Sequence, residues 1–322
     1  MTDPKMPFLS AAIEPVQVQE CLTRCLVIAQ NCCLQKVEVI RHKPGRRCLI
    51  AYELVDNAGK IIRLIGKVRA KRTDFHSYEL QKSLWEQGFA DDSADGISVP
   101  EPVGIIPEWQ MWLQRQVEGA LTFTQLLTTN NNILLANKVA EAAHKLHQTN
   151  ILPRRSHTMS DELRILHERI NLVMQEYPEW QKRLERILAA SHHLGENTPE
   201  LKPCGIHRDF YPDQVLVNHS RLYLIDLDLY CEGNPALDIG NFIAHIQEYS
   251  LRTFGNYEAL REYENALIER FIHLTSHKYL KAIETYITLT LVRHIYISTQ
   301  FPERRPFTEA LLHLCEQRLH IN

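Results

Sequence analysis

The sequence predicts an α+β protein with a strand-rich N-terminal part and a larger, mostly helical C-terminal part. Its 322 residues favour about two domains rather than one. Three β-rich runs, at 36–41, 47–55 and 61–69, are separated by turn-forming residues, which indicates an antiparallel meander. From residue 132 onward, apolar side chains recur at helical intervals in most segments.

The remaining elements follow from the same patterns. We expect residues 1–15 to form a flexible tail, and the segment that begins at Pro15 to form an amphipathic helix ending near residue 31. After the meander, residues 73–88 predict a helix that Asp74 caps and Gly88 ends. Two further strands are expected at 103–107 and 111–116. Helices are then predicted over these segments: 132–149, 160–177, 178–193, two or three between 257 and 300, and one ending near 319.

Composition and charge exclude several classes of protein. The chain carries 36 basic and 39 acidic residues, a net charge of −3, which is too balanced for a protein that grips a nucleic-acid backbone. The first fourteen residues are interrupted by charges and lack the apolar core of a signal peptide. No apolar run is long enough to span a bilayer. We therefore expect a cytoplasmic protein without a nucleic-acid or membrane partner.

Cysteine and histidine spacing gives little support for a metal site. Of the eight cysteines, Cys21 and Cys25 lie four positions apart, but no pair of CxxC motifs occurs, so reduced and buried thiols are expected. His144 and His147 have helical spacing without an obvious third ligand nearby. We expect them to pack or to form local hydrogen bonds.

The most informative stretch is residues 204–242, where two apolar strands at 214–217 and 222–225 flank a polar turn. Asp209 precedes this hairpin, and Asp226 and Asp228 follow it. A hairpin returns the chain to its starting point, so these carboxylates should meet at one end. Because buried unpaired carboxylates are strongly disfavoured, they must lie near water or a cation such as Mg²⁺.

The order of these residues matches that of a kinase catalytic loop. There an Asp accepts the proton of the attacking hydroxyl, an amide side chain holds one metal ion, and a later Asp holds the other. Here an HRD triplet ends at Asp209, Gln214 follows five positions later, and Asp226 lies beyond the second strand. Together with GNPALD at 233–238, this stretch resembles the aminoglycoside phosphotransferase and choline kinase-like family of small-molecule kinases. The alternative is that the acids are surface turn residues around an ordinary hairpin.

The resemblance covers the chain from about residue 16, although its sharp motifs lie only between 207 and 238. It implies a bilobal protein-kinase-like fold, with a small antiparallel-sheet N-lobe at 16–118 and a larger helical C-lobe at 119–322. It also implies ATP or GTP and Mg²⁺ as cofactors. Asp209 would be the catalytic base, with Gln214 and Asp226 as metal ligands and Asp238 as the brace of the catalytic loop.

The resemblance further implies a set of nucleotide contacts. Lys67 ends the run LIGK in the place of the kinase strand lysine, and Glu79 on the following helix would pair with it. Two alternatives stay open: Glu86 as the partner, and a Glu79 that is merely exposed. The backbone at Gln116 and Val117 would bond the adenine edge. Gly45 and Arg46, in the loop between the first two predicted strands, are expected to contact the phosphates. The alternative for that loop, which has one glycine where protein kinases have three, is a solvated basic turn.

Two observations bear on the substrate. Only eleven residues separate Asp226 from Asp238, too few for a peptide-docking activation segment, so a small molecule with a hydroxyl group is favoured as acceptor. The helices predicted at 160–193 mix acids and bases, and they do not show the acidic face that a polycationic aminoglycoside would need. Gln214 stands where the family usually has Asn. A nucleotide-binding pseudokinase that serves as an interaction or regulatory module is therefore the second hypothesis. The oligomeric state is left open.

Overall fold

A computed structural model describes residues 3–129 and 133–321 of the chain. It divides into two compact units, and each is described by itself. The sheet unit comprises Met1–Ala120 and Leu216–Asp228, and the helical unit comprises Leu121–Val215 and Leu229–Asn322. The hairpin expected in the C-terminal lobe therefore belongs to the sheet unit.

In chain order, the helices of the described residues are α1 (Pro15–Cys25), α2 (Phe75–Leu84), α3 (Phe123–Leu127), α4 (Leu134–His147), α5 (Met159–Glu176), α6 (Gln181–Glu196), α7 (Ala236–Phe254), α8 (Arg261–Leu274), α9 (Leu280–Gln300) and α10 (Thr308–Arg318). The helix predicted at 132–149 corresponds to α4, and its predicted start at Asn132 lies outside the described residues. The next helix begins one residue before the predicted Ser160, because Thr158 caps it in a reciprocal capping box with Asp161.

The strands are β1 (Cys32–Lys43), β2 (Arg47–Asp56), β3 (Ile61–Arg69), β4 (Ile97–Ser98), β5 (Pro102–Ile106), β6 (Met111–Arg115), β7 (Leu121–Thr122), β8 (Ser156–His157), β9 (Cys204–Ile206), β10 (Val215–Asn218), β11 (Arg221–Leu224) and β12 (Cys231–Gly233). The predicted meander is present as three long antiparallel strands, β1 to β3.

The main sheet of the sheet unit has the strand order β1-β2-β3-β6-β5. Side chains alternate along β3, so Ile62, Leu64 and Val68 enter a hydrophobic core while Ile65 and Lys67 lie on the opposite, partly exposed face. The sheet thus has one closed face and one face that can receive a ligand.

Residues 3–14 cover the closed face, and for these described residues the expectation of a flexible tail does not hold. Residues 7–9 and 11–13 form 3-10 turns, and the side chains of Met6, Leu9 and Ala12 are fully buried in the sheet core. The Tyr52 hydroxyl donates a hydrogen bond of 2.9 Å to the carbonyl of Ala12. Apolar burial outweighs the conformational entropy of these residues, so the segment is ordered.

The hairpin of β10 and β11 joins the sheet unit through β4. Leu222 and Tyr223 of β11 pair in parallel with Ile97 and Ser98. The guanidinium of Arg221 also donates to the Ser98 hydroxyl at 2.8 Å. These bonds place the end of the hairpin, and with it Asp226, in the same unit as Lys67.

The helical unit is centred on α7 and α9, which cross closely. At Gly240 of α7 an added Cβ would lie 2.5 Å from Cβ of Tyr286 on α9, so only glycine permits this approach. The sequence expectation did not include a helix at 236–248, which here begins directly after the GNP of the family-like motif. Within the described residues no helix is both long enough and apolar enough to cross a bilayer.

Candidate active site

The backbone of the predicted catalytic loop is held by the fully buried carboxylate of Asp238, at the start of α7. The N–H of His207 donates to Oδ2 of Asp238 at 2.9 Å, and the N–H of Arg208 donates to Oδ1 at 2.7 Å. Hydrogen bonds from N–H groups to an ionised carboxylate are among the stronger ones in proteins. Asp238 therefore fixes the two residues that immediately precede Asp209.

A second contact from α7 fixes the residue that follows. Nδ2 of Asn241 donates to the carbonyl of Phe210 at 2.9 Å, and Arg293 donates to Oδ1 of Asn241 at 2.5 Å. Asp209 is thus bracketed by anchored backbone on both sides. Its own carboxylate is half-buried, and among the described residues it has no hydrogen bond or ion pair.

His147 supports Asp238 from behind. Its Nε2 lies 2.8 Å from Oδ2 of Asp238, and since a carboxylate accepts, Nε2 carries the proton. His147 packs against Phe271, as expected, but its hydrogen bond is not local, because its partner lies 91 positions away in the sequence. Tertiary contacts of this kind leave no trace in local spacing.

Two residues of the motif region have strained backbone conformations. Arg208 has φ +69° and Asp226 has φ +57°, the left-handed region that side chains other than glycine rarely adopt. Such conformations persist where surrounding contacts enforce them, and they are concentrated at functional sites. At Arg208 the enforcing contact is the bond to Asp238.

Gln214, the predicted amide metal ligand, closes a 3-10 turn at Pro212–Gln214 and is 7% exposed. Its Nε2 donates to the hydroxyl of Tyr211 at 3.1 Å. Tyr211 in turn stacks on His245, with ring centroids 4.6 Å apart. The bond orients the amide through its nitrogen, and the amide oxygen is the atom that would bind a metal ion.

In the sheet unit, Lys67 lies in a charged and aromatic environment. Its Nζ is 4.5 Å from the ring centroid of Trp112, the residue opposite it on β6. Burial lowers the pKa of Lys67, and the negative charges of Asp228 and Asp226 partly offset that effect. A cation held near two carboxylates is suited to contact a phosphate group beside a metal ion.

Asp226 and Asp228 form a coupled carboxylate pair. Burial and repulsion by Asp228 raise the pKa of Asp226. Burial also acts to raise the pKa of Asp228, but Lys67 and Arg69 outweigh it and hold that pKa below its ordinary value. The Ser77 hydroxyl lies 3.1 Å from Oδ1 of Asp228. Two close carboxylates whose mutual repulsion is only partly neutralised fit a hard divalent cation such as Mg²⁺.

The structure does not place Glu79 beside Lys67. Glu79 is exposed, whereas Ser77 on the same helix is buried and contacts Asp228. Two residues correspond to about 200° around an α-helix, so the two side chains face opposite sides. The competitor Glu86 is exposed as well and lies 4.0 Å from Lys82. The spacing between Lys67 and Glu79 in the sequence did not determine which face of α2 packs against the sheet.

The predicted phosphate loop is a tight turn between β1 and β2. Gly45 has φ +64°, and its N–H donates to Oδ2 of Asp3 at 2.8 Å. Arg46 is exposed, and its backbone bonds Lys43 and Ala70. Repulsion by nearby arginines, Arg47 foremost, lowers the pKa of Lys43. The turn therefore offers a positive field, while the Gly45 amide is already bonded within the chain.

The predicted hinge residues follow β6. The N–H of Gln116 donates to the carbonyl of Arg63 at 2.9 Å, and Val117 is half-buried. Gln116 also lines a cavity of 260 Å³ on the ligand-accessible sheet face, together with Ala51 and Arg63. Pockets for small ligands usually measure about 300–1,000 Å³, so this one suits part of a nucleotide rather than the whole.

Within each unit the structure brings some predicted residues together. Lys67 and Asp226 meet in the sheet unit, and Asp209 and Gln214 share one loop in the helical unit. Sequence reasoning missed the roles of Asn241 and His147. For Asn241 a signal existed, because it lies three positions after Asp238, and residues at that spacing share a helix face.

A carboxylate on a braced loop, and a lysine beside a carboxylate pair, are the working parts of a kinase-type phosphotransferase. A family model described as the phosphotransferase enzyme family matches residues 38–267. The match covers more than half of the chain, and the chain therefore belongs to this family. The predicted family resemblance is confirmed.

Individual relatives are distant. Protein LicA of Haemophilus influenzae is 25% identical over 171 residues, which cover 50% of this chain and 61% of LicA, less than two thirds of its length. The crystal structure of a choline/ethanolamine kinase family protein from Mesorhizobium loti has a TM-score of 0.61 at 12% identity and covers 94% of both chains.

A spectinomycin phosphotransferase, solved with ADP and spectinomycin, also has a TM-score of 0.61, at 13% identity, and covers 96% of this chain and 94% of that one. At these identities the solved structures show the fold alone. The predicted α+β, protein-kinase-like fold is confirmed.

Proposed function

We propose that this protein transfers the γ-phosphate of ATP, or of GTP, to a hydroxyl group of a small molecule. The observation that carries the proposal is the double anchoring of the loop around Asp209 by Asp238 and Asn241. A carboxylate that is held by its backbone, with no partner of its own among the described residues, is prepared to accept a hydrogen bond from a substrate.

The roles of the individual residues follow from their charges. Asp209 orients the acceptor hydroxyl and takes its proton as the oxygen attacks the γ-phosphorus. Lys67 contacts the phosphates on the leaving side. Gln214 and Asp226 would hold Mg²⁺, with Asp228 as a further carboxylate beside Asp226. When bound, that ion neutralises charge on the β- and γ-phosphates.

Two further segments are proposed to contact the nucleotide: the turn between β1 and β2, and the residues that follow β6. Gly45 and Arg46 belong to a turn with a positive field, which favours phosphate groups. The backbone at Gln116 and Val117 borders a cavity on the ligand-accessible sheet face that is large enough for part of a nucleotide. We expect the protein to act in the cytoplasm.

The acceptor is proposed to be a sugar, an amino alcohol or a similar small alcohol. Among the similar structures, one is named for the choline and ethanolamine kinases and another was solved with spectinomycin. Both names concern those proteins. They support the proposal that the acceptor of this chain is a small hydroxyl compound.

The test is ATP turnover against a panel of hydroxylated metabolites. We expect acceptor-dependent ADP release that Asp209→Asn abolishes and that Asp213→Asn leaves unchanged, because Asp213 is an exposed carboxylate four positions away. If Asp209→Asn retains the parent rate, Asp209 is not the base and the proposal fails.

A second candidate function is a nucleotide-binding pseudokinase. It is favoured by the engagement of the Gly45 amide with Asp3, which removes one backbone donor from the phosphate loop. Nucleotide and Mg²⁺ binding in calorimetry, without turnover on any acceptor in the panel, would support this alternative.

A further inference from the structure

Three side chains with metal-binding groups meet in the sheet unit, away from the residues assigned to phosphate transfer. Cys21 and Cys25 lie on α1, and Glu108 lies in the turn between β5 and β6. The thiol, thiol and carboxylate ligand atoms all fall within 4.8 Å of one another. We name these three residues the Cys-Cys-Glu group.

The helix accounts for the first two ligands. Residues four apart on an α-helix lie on the same face, so both sulfur atoms point the same way. Their separation is 4.0 Å, and Sγ of Cys21 is 3.1 Å from Oε1 of Glu108. The carboxylate comes from a distant part of the chain, 87 positions after Cys21, which is why cysteine spacing alone did not predict a site.

The distances between the ligand atoms fit tetrahedral coordination of one metal ion. Bond lengths of about 2.3 Å from zinc to sulfur and about 2.0 Å from zinc to oxygen imply sulfur–sulfur and sulfur–oxygen separations of roughly 3.8 and 3.5 Å. The observed values differ from these by a few tenths of an ångström. Small side-chain rotations are enough to make up that difference, because Cys25 and Glu108 are both exposed.

The charged residues around the group are also compatible with a bound divalent cation. Two thiolates and one carboxylate around Zn²⁺ leave one net negative charge. The guanidinium of Arg24 forms an ion pair with Glu108 and lies 3.7 Å from Sγ of Cys21, so a compensating cation is already at hand. Arg24 itself is exposed, so it can move aside as the ion enters.

A reactive redox pair fits the surroundings less well. The two sulfur atoms lie 4.0 Å apart, whereas a disulfide requires a separation of about 2.05 Å. The carboxylate of Glu108, 3.1 Å from Sγ of Cys21, has no part in disulfide exchange but is an ordinary third ligand of a metal ion.

We propose that the Cys-Cys-Glu group binds one thiophilic divalent cation, with Zn²⁺ as the physiological candidate. Three protein ligands leave a fourth position for water. The bound ion would link α1 to the turn between β5 and β6 and so fasten this helix to the main sheet. The earlier expectation of uncoordinated thiols at Cys21 and Cys25 is replaced by this proposal.

The test uses the full chain, reduced, freed of metal with a chelator and titrated with Co²⁺, whose thiolate charge-transfer absorption reports sulfur ligation. Zinc affinity is then measured by competition. Three variants remove ligands: Cys21→Ser, Cys25→Ser and Glu108→Gln. The matched control is Cys33→Ser, which removes an exposed thiol on β1 outside the group.

We expect one equivalent of Co²⁺ per chain with the thiolate band, displaced by Zn²⁺. Each ligand variant should lose at least about tenfold in affinity, since even residues behind the ligands contribute about 10- to 100-fold. Cys33→Ser should bind as the parent does.

Three outcomes would overturn the proposal. One is a parent chain without the thiolate band, and another is a Cys33→Ser loss equal to that of Cys25→Ser. The third is a Cys21–Cys25 disulfide that persists in reductant and is detected by mass. Cys25→Ser and Glu108→Gln alter exposed side chains, so their metal-free circular dichroism should match the parent, and a binding loss then reports the site rather than misfolding.

Discussion

Replacing Asp238 by alanine should release the loop around Asp209 from its backbone anchors. The substitution removes the acceptor of the His207 and Arg208 N–H groups and the partner of His147. Asp238 is fully buried, so water cannot take its place without a rearrangement of α7. The His207 amide is left unsatisfied in a buried position.

The magnitude follows from the bonds lost. A hydrogen bond to a charged group contributes about 1.5–3 kcal/mol, and the two bonds from the backbone N–H groups of His207 and Arg208 are removed together with the contact to His147. We expect a local destabilisation of about 3–5 kcal/mol, near the upper limit for single substitutions. Asp238→Asn keeps one acceptor oxygen and should cost roughly half as much.

Hydrogen exchange followed by mass spectrometry measures this directly at the loop. Because about 1.4 kcal/mol corresponds to a factor of ten, the amides of His207 and Arg208 should exchange at least about a hundredfold faster in Asp238→Ala. Amides of β2 serve as internal reference, and Asp213→Ala is the matched control on an exposed carboxylate. Unchanged exchange at the two amides in Asp238→Ala would refute the bracing role.

Three further predictions concern other parts of the molecule. Lys67→Met should lower ATP turnover at least about a hundredfold with unchanged circular dichroism, since it removes the cation beside the carboxylate pair; turnover near the parent level would rule out its phosphate role. Gly240→Ala should lower the free energy of unfolding by about 1–3 kcal/mol in urea, because its Cβ would lie 2.5 Å from Cβ of Tyr286, and an unchanged midpoint would contradict the close crossing. Burial raises the pKa of Glu264 from 4.5 to about 7. The folded protein thus keeps a proton that the unfolded chain has lost, and stability should fall as pH rises through that range. Glu264→Gln should be more stable than the parent at pH 8, by at most about 3 kcal/mol, but not at pH 4; equal stability at pH 8 would contradict the raised pKa.

Local patterns were sufficient for much of the fold. Alternating apolar residues along β2 and β3 predict strands with one closed face, and the structure has that face. The motif that ends at Asp238 could be recognised because its residues are close in sequence and their order carries the chemistry. Its neighbour Gly240 marks a close helix crossing that no local pattern indicates.

What could not be predicted depends on contacts between distant residues. By spacing, Glu79 and Glu86 were the candidates for the partner of Lys67, and only the packed orientation of α2 decides that Ser77 is the residue of this helix that contacts Asp228. The bond from His147 to Asp238 joins two helices whose packing is set by the whole helical unit. Similarly, the first residues were predicted to form a tail because burial of their apolar side chains stabilises them only against a sheet formed by residues later in the chain.

The burial of the first residues decides which side of the sheet is open to substrates. Among the described residues, Met6, Leu9 and Ala12 cover the face opposite Lys67, which leaves the face of the lysine for the nucleotide proposed above. A chain that began at Val16, after the tail expected from the sequence, would expose this second, apolar face, and exposed apolar faces favour self-association. The N-terminal segment thus makes the two faces of the sheet different, one covered and one accessible.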